Sequence, residues 1–125
     1  MVVEDEPDMQ EYISSKLVES EKFEVITANN GEEALEQVRK HSRFLGFARN
    51  RIRCIVLDLK MPKMNGLMFL KHLRSKEYFI TSTPVIILSA YEDQDKWLQV
   101  TSGSRGLVCH YLKKPFDEEE LVDLV

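Results

Sequence analysis

The chain has 125 residues and a formal net charge of −4, with hydrophobic and charged fractions ordinary for a globular protein. That length suits one domain around one core, and the negative balance gives no general drive toward nucleic acid or anionic membrane. No apolar run nears the ~20 residues needed to cross a bilayer, the start lacks the charged and apolar regions of a signal peptide, and there is no zinc-type Cys/His spacing, P-loop or GxGxxG.

In chain order, Met1-Val2-Val3 reads as the end of a strand, with Glu4-Asp5-Glu6-Pro7 at its carboxyl end. A helix follows, because Met9, Tyr12, Ile13 and Leu17 recur at helical spacing while Glu11, Ser15 and Lys16 fall on other faces. Phe23 to Ala28 reads as the second strand. Asn30 precedes Gly31-Glu32-Glu33, so Asn30 can cap a helix and Glu33 can reach back to it. That helix shows Ala34, Leu35 and Val38 on one face, and His41, Leu45 and Ala48 continue the spacing past Gly46.

Residues 39–53 mix Arg39, Lys40, Arg43, Arg49, Arg51 and Arg53 with Phe44, Leu45 and Phe47. Basic residues among aromatics can bind nucleic acid. The preferred reading is an extended helix or loop with a solvated basic face and no specific nucleic-acid partner. Ile52 to Leu57 reads as the third strand; its four residues Cys54 to Leu57 are apolar without alternation, the mark of a strand buried on both faces, and run into Asp58. A loop with Pro62 and Gly66 leads to a third helix marked by Leu67, Phe69, Leu70 and Leu73. Thr83-Pro84 opens a fourth strand, Val85 to Leu88, ending at Ser89-Ala90; proline is tolerated at a strand's first residue. Trp97, Leu98 and Val100 suggest a fourth helix, and Gly103 and Gly106 break the chain. Leu107 to Leu112 is the fifth strand. Lys113-Lys114-Pro115-Phe116 follows, then Asp117 and Glu120 as a capping box for a last helix. Cys54 and Cys109 lie in strand-like runs and read as buried reduced thiols, which favours an intracellular, cytoplasmic setting.

Strands alternating with helices predict a doubly wound parallel sheet with right-handed crossovers. Ligands of such sheets bind outside the carboxyl ends of the strands. Those ends carry Glu4-Asp5, Asp58, Ser89 and Lys114. Carboxylates brought together repel and need a cation, and an oxygen-only set suits Mg²⁺. A lysine can bind a phosphoryl oxygen or pair with a carboxylate. A serine hydroxyl can donate to a phosphoryl oxygen. The group is suited to placing a phosphoryl group on Asp58, as nucleophilic carboxylates do.

Glu4-Asp5, Asp58 with Met61-Pro62-Lys63-Met64-Asn65-Gly66, Ser89-Ala90 and Lys114-Pro115-Phe116 occur in this order across essentially the whole chain. Together they resemble a response-regulator receiver domain. The resemblance implies a flavodoxin-like, five-stranded parallel sheet in the order 2-1-3-4-5 with helices on both faces. It implies Asp58 as phosphoacceptor, Asp5 as a metal ligand supported by Glu4, and the Lys60 carbonyl as a further ligand of Mg²⁺. Ser89 would be the switch hydroxyl, Lys114 the phosphate-binding lysine and Tyr111 the aromatic switch residue. The partner would be a histidine kinase or histidine phosphotransfer protein carrying the phosphohistidine, since His41, His72 and His110 all lie outside the motif. An attached kinase or output domain is also implied. Residues 1–125 read as one receiver domain that is a fragment of a longer protein, its first strand short at the beginning and its last helix short at the end.

Alternatives accompany several positions. Glu6 could replace Glu4 as the second acid, and Lys113 could replace Lys114. Ser89 could be a plain strand-end hydroxyl, Tyr111 ordinary core, and Glu4-Asp5-Glu6 a solvated acidic run at a helix start. The segment before the third strand and the stretch Ser102 to Gly106 are longer than the family pattern. Lys60 stands two residues after Asp58, where it could replace part of a metal's charge or point to solvent. The favoured function is a phosphorylatable signalling domain rather than an enzyme with its own product. A degenerate receiver used only for binding is opposed by the presence of Asp5, Asp58, Ser89 and Lys114. An aspartyl-phosphate phosphatase would need Asp-x-Asp, and Lys60 occupies the second place; a lysine is no general acid there without a large pKa shift.

Overall fold

The structure is a computed structural model that describes residues 1–41, 51–76, 83–89 and 108–125; of Lys76, Ser89, Val108 and Cys109 it describes the backbone alone. The expected helix around Trp97 and Leu98, the breaks at Gly103 and Gly106, the continuation past Gly46 and the basic residues Arg43 and Arg49 lie outside the described residues. So does any pairing state of Cys109.

The described elements are β1 (Val2–Val3), α1 (Pro7–Glu19), β2 (Thr27–Ala28), α2 (Gly31–His41), β3 (Ile55–Asp58), α3 (Gly66–Lys76), β4 (Val85–Ser89), β5 (Val108–Lys113) and α4 (Glu118–Leu124). The strands form one five-stranded sheet in the order β2-β1-β3-β4-β5, with every neighbour parallel. This is the doubly wound order expected from the sequence.

Successive side chains on a strand point to opposite faces, and the core divides accordingly. Val3, Ile55, Leu57, Val85 and Ile87 pack with Ala34 of α2 and with Phe69, Leu70 and Leu73 of α3. Val2, Val56, Ile86 and Leu88 pack with Ile13 and Leu17 of α1 and Leu121 of α4. β3 is buried along its whole length because helices cover both of its faces.

The second strand is shorter than its composition suggests. Phe23, Val25 and Ile26 are apolar and β-forming, yet β2 begins at Thr27. A strand exists only where a partner supplies hydrogen bonds. β2 lies at the sheet edge, and among the described residues its only neighbour, β1, pairs Val2 with Thr27 and Val3 with Ala28. β3 likewise starts at Ile55, not Ile52, where its ladder with Val85 begins. Ile52 is still buried in the core.

The caps follow the sequence with small shifts. Asn30 Oδ1 accepts from the Glu33 amide at 2.9 Å, while the Glu33 carboxylate reaches back one residue further, to the Asn29 amide at 2.9 Å. Asp117 caps α4 by accepting from the Glu119 amide at 2.8 Å, rather than through Glu120. In α1, Ile13 and Leu17 are buried as expected, but Tyr12 stays 38% exposed because its hydroxyl donates to Glu118 Oε1 at 2.7 Å.

Candidate functional site

Parallel pairing brings the carboxyl ends of β1, β3, β4 and β5 to one edge of the sheet. Glu4 leaves β1 while its amide still donates to the Ala28 carbonyl at 3.1 Å. Asp58 is the last residue of β3. Lys114 directly follows β5. Ser89 ends β4 in register with Lys113, and its side chain is outside the description.

The side chains of Glu4, Asp5 and Asp58 converge. One carboxylate oxygen from each lies within 4.8 Å of the other two. Glu4 is only 2% exposed and Asp58 6%, while Asp5 faces solvent. Lys114 Nζ sits 3.2 Å from Glu4 Oε2 and 3.6 Å from Asp58 Oδ1. Backbone amides complete the shell: Glu6 donates to Glu4 Oε1 at 3.2 Å, and Lys60 donates to Asp58 Oδ1 at 3.3 Å.

Geometry separates the alternatives left by the sequence. Glu4, not Glu6, joins the buried cluster; Glu6 is exposed and contributes its amide. Lys114, not Lys113, reaches the carboxylates, and Lys113 is exposed. Lys60 also faces outward. Tyr111 is half-buried against the α2/α3 core, in register with Ile87.

Electrostatics in this cluster are strained. Burial, then the neighbouring Asp58 carboxylate, pushes Glu4 up to about 7 against the pull of Lys114. Burial also raises Asp58, opposed first by Lys114 and then by the Lys60 amide. A single ammonium beside crowded carboxylates leaves an excess of negative charge. The donors are hard oxygens, so the set fits a divalent cation of the Mg²⁺ kind.

The loop after Asp58 explains its own sequence. Lys63 takes φ 61°, the left-handed turn. Asn65 Oδ1 accepts from the Met68 amide at 2.9 Å and so caps α3. The Gly66 amide donates to the Leu59 carbonyl at 3.0 Å. A Cβ at Gly66 would run into the Asp58 carbonyl and lie 2.8 Å from Leu59 Cα, so only glycine lets the helix start this close to the strand end. Met64 lies against Gly31, where a Cβ would meet its Cγ at 2.7 Å. Beside Asp5 the same loop borders an open depression of about 530 Å³, lined by Leu59, Lys60, Met61, Pro62, Asn65 and Leu67.

Gly31 and Gln10 escaped the sequence reading. Gly31 carried only a helix-start signal. Gln10 looked like any polar residue early in a helix, yet its side-chain amide touches the acidic turn.

The sequence model of the family described as "Response regulator receiver domain" matches residues 1–125. The chain belongs to this receiver family. The receiver is 34% identical over 123 residues to a transcriptional regulatory protein CpxR homolog of Haemophilus influenzae, covering 98% of this chain and 46% of that protein. It is also 34% identical over 122 residues to hybrid signal transduction histidine kinase D of Dictyostelium discoideum, covering 98% of this chain and 7% of that protein. The receiver thus spans less than half the length of either relative. Among solved structures, a response regulator receiver domain protein from Clostridium thermocellum superposes with a TM-score of 0.79 at 27% identity, covering 98% of this chain and 86% of that one. The receiver domain of NtrX from Brucella abortus shares the fold at a TM-score of 0.77 and 20% identity, with 98% and 91% coverage. This places the chain as a receiver domain of two-component signalling. Among the described residues, no helix is long and apolar enough to cross a membrane.

Proposed function

We propose that this receiver takes a phosphoryl group onto Asp58 from a phosphohistidine of a histidine kinase or histidine phosphotransfer protein. An Asp58 oxygen forms a bond to phosphorus while the phosphorus–nitrogen bond breaks, and the electron pair stays with the donor's imidazole. Bound Mg²⁺, held by Asp5 and Asp58 with Glu4 and the Lys60 carbonyl in support, would offset the charge of the transferring group.

The chain's own residues do the rest. The Lys60 amide orients the Asp58 carboxylate. Lys114 passes from its carboxylate partners to a phosphoryl oxygen, where a flexible point charge is well suited. Ser89 donates a hydrogen bond to another phosphoryl oxygen, and Tyr111 moves with it. The depression beside Asp5 gives the donor its approach. The resulting change of shape would act on an output or kinase module in the same protein.

The observation that carries this reading is the convergence of Glu4, Asp5, Asp58 and Lys114 at one point on the carboxyl edge of the sheet. Intact-mass measurement with acetyl phosphate tests it. One phosphoryl group should add to the parent and none to Asp58→Asn, and chelation of Mg²⁺ should abolish the addition. Equal labelling of Asp58→Asn, or labelling that survives chelator, would sink it.

A further inference from the structure

β1 and β2 share only the pairs Val2–Thr27 and Val3–Ala28. The acidic turn begins at the next residue, tied to β2 by one last ladder bond, from the Glu4 amide to the Ala28 carbonyl at 3.1 Å. Gln10 of α1 takes over from there. Its Nε2, with two protons, lies within hydrogen-bond distance of three acceptors, the Glu4 carbonyl at 2.9 Å, the Ala28 carbonyl at 3.1 Å and Asn29 Oδ1 at 3.1 Å, so one proton is shared. The first two acceptors lie at the ends of β1 and β2. The third belongs to a residue whose amide and side-chain nitrogen both donate to Glu33 of α2 at 2.9 Å.

We propose that Gln10 is a positioning residue for the acidic pair, a clamp that fixes the Glu4–Asp5 turn to the end of β2 and so sets the affinity for Mg²⁺. The proposal rests on the reading of this cluster as the Mg²⁺ site. All three partners are acceptors, so the position requires a neutral donor. A thioether of similar length fills the space without donating. A carboxylate of the same shape turns acceptor against acceptor and loosens the turn.

Groups that orient ligands from behind are worth roughly 10- to 100-fold in metal affinity. Gln10 is half-exposed and holds the turn through its backbone, which puts the expected effect near the low end. Mg²⁺ titration of the whole chain, followed by the amide NMR shifts of Asp5 and Asp58, measures binding without any phosphodonor. Gln10→Met should raise the dissociation constant about tenfold. The phosphorylation rate at saturating Mg²⁺ should stay within about twofold of the parent, because Asp58 and Lys114 are untouched.

Gln10→Glu separates position from charge and carries the test if the methionine variant does not fold. Simple electrostatics makes an added carboxylate tighten Mg²⁺, whereas loss of the clamp weakens it. Weaker binding supports the clamp. Tighter binding in Gln10→Glu, or unchanged affinity in Gln10→Met, overturns it. A parent whose Asp5 and Asp58 amides ignore Mg²⁺ would overturn the metal site itself, and the clamp with it.

Discussion

Glu4 shows how one buried acid can connect stability to pH. Its ordinary pKa is 4.5, and burial with the Asp58 charge raises it to about 7. An acid raised in this way holds its proton better folded than unfolded. Its favourable contribution is therefore complete below pH 4.5 and is lost as pH rises to about 7. Metal-free protein should lose stability across that window by on the order of 1–3 kcal/mol. Glu4→Gln should lose less, and Mg²⁺ should flatten the parent's curve; denaturant titrations at both ends of the range would show it. A parent that gains stability with rising pH, relative to Glu4→Gln, contradicts the placement of that proton. Gly66 makes a second point at this scale. Its missing Cβ is where the Asp58 carbonyl and Leu59 lie. Gly66→Ala must shift backbone rather than a flexible side chain, so a cost above about 2 kcal/mol is expected. Phosphorylation of Asp58 should slow as well, measured by the same intact-mass assay. A variant as stable and as quickly phosphorylated as the parent would mean the loop can slide without disturbing Asp58.

Among the elements, the helices and the strands β4 and β5 were legible, and the extents of β2 and β3 were not. The spacing of Ile13 and Leu17, and of Phe69, Leu70 and Leu73, placed the buried faces of α1 and α3 correctly. Periodicity is local and survives in a single segment. Strand extent depends on the partner, which is why Phe23 to Ile26 read as strand but fell outside β2. The outward position of Tyr12 was hidden for a similar reason: its hydroxyl partner, Glu118, lies 106 residues away in sequence. α1 also carries an element-level prediction. Beyond its C-cap Ser20, Glu21 takes φ 56°, and its amide donates to the Val18 carbonyl at 2.9 Å. Glycine is the residue suited to that left-handed position. Glu21→Gly should stabilise the protein by about 0.5–1 kcal/mol, the relief of backbone crowding exceeding the added freedom of the unfolded chain. Thermal and denaturant unfolding would register it; a loss of stability would show that the Glu21 side chain contributes more than its backbone costs.

At the scale of the whole molecule, the site was more legible than its machinery. Asp58, Asp5 and Lys114 stand out because charged groups at the ends of apolar strands are conspicuous in any sequence. Gln10 and Gly31 do not, because their roles depend on carbonyls and a methionine brought close only by folding. Switching belongs to this scale too. In the proposed switch, a charge-assisted hydrogen bond from Ser89 to the phosphoryl group would offer about 1.5–3 kcal/mol, or roughly a ten- to hundredfold shift. A nearly complete two-state change needs about 10⁴. Ser89→Ala should therefore still accept phosphate, yet transmit it more weakly to Tyr111. NMR of the Tyr111 ring with a stable phosphoryl mimic reads this directly, and a mutant ring that responds as fully as the parent's removes Ser89 from the link. The divided core has a mechanical consequence. β3 gives Val56 to the layer of α1 and α4, gives Leu57 to the layer of α2 and α3, and then ends in Asp58. Sliding this strand by one residue would swap its side chains between the layers and turn the carboxylate away from Lys114. Asp58 thus stands on a post braced from both sides, and a force applied there is spent on moving the loops around the post rather than the post itself.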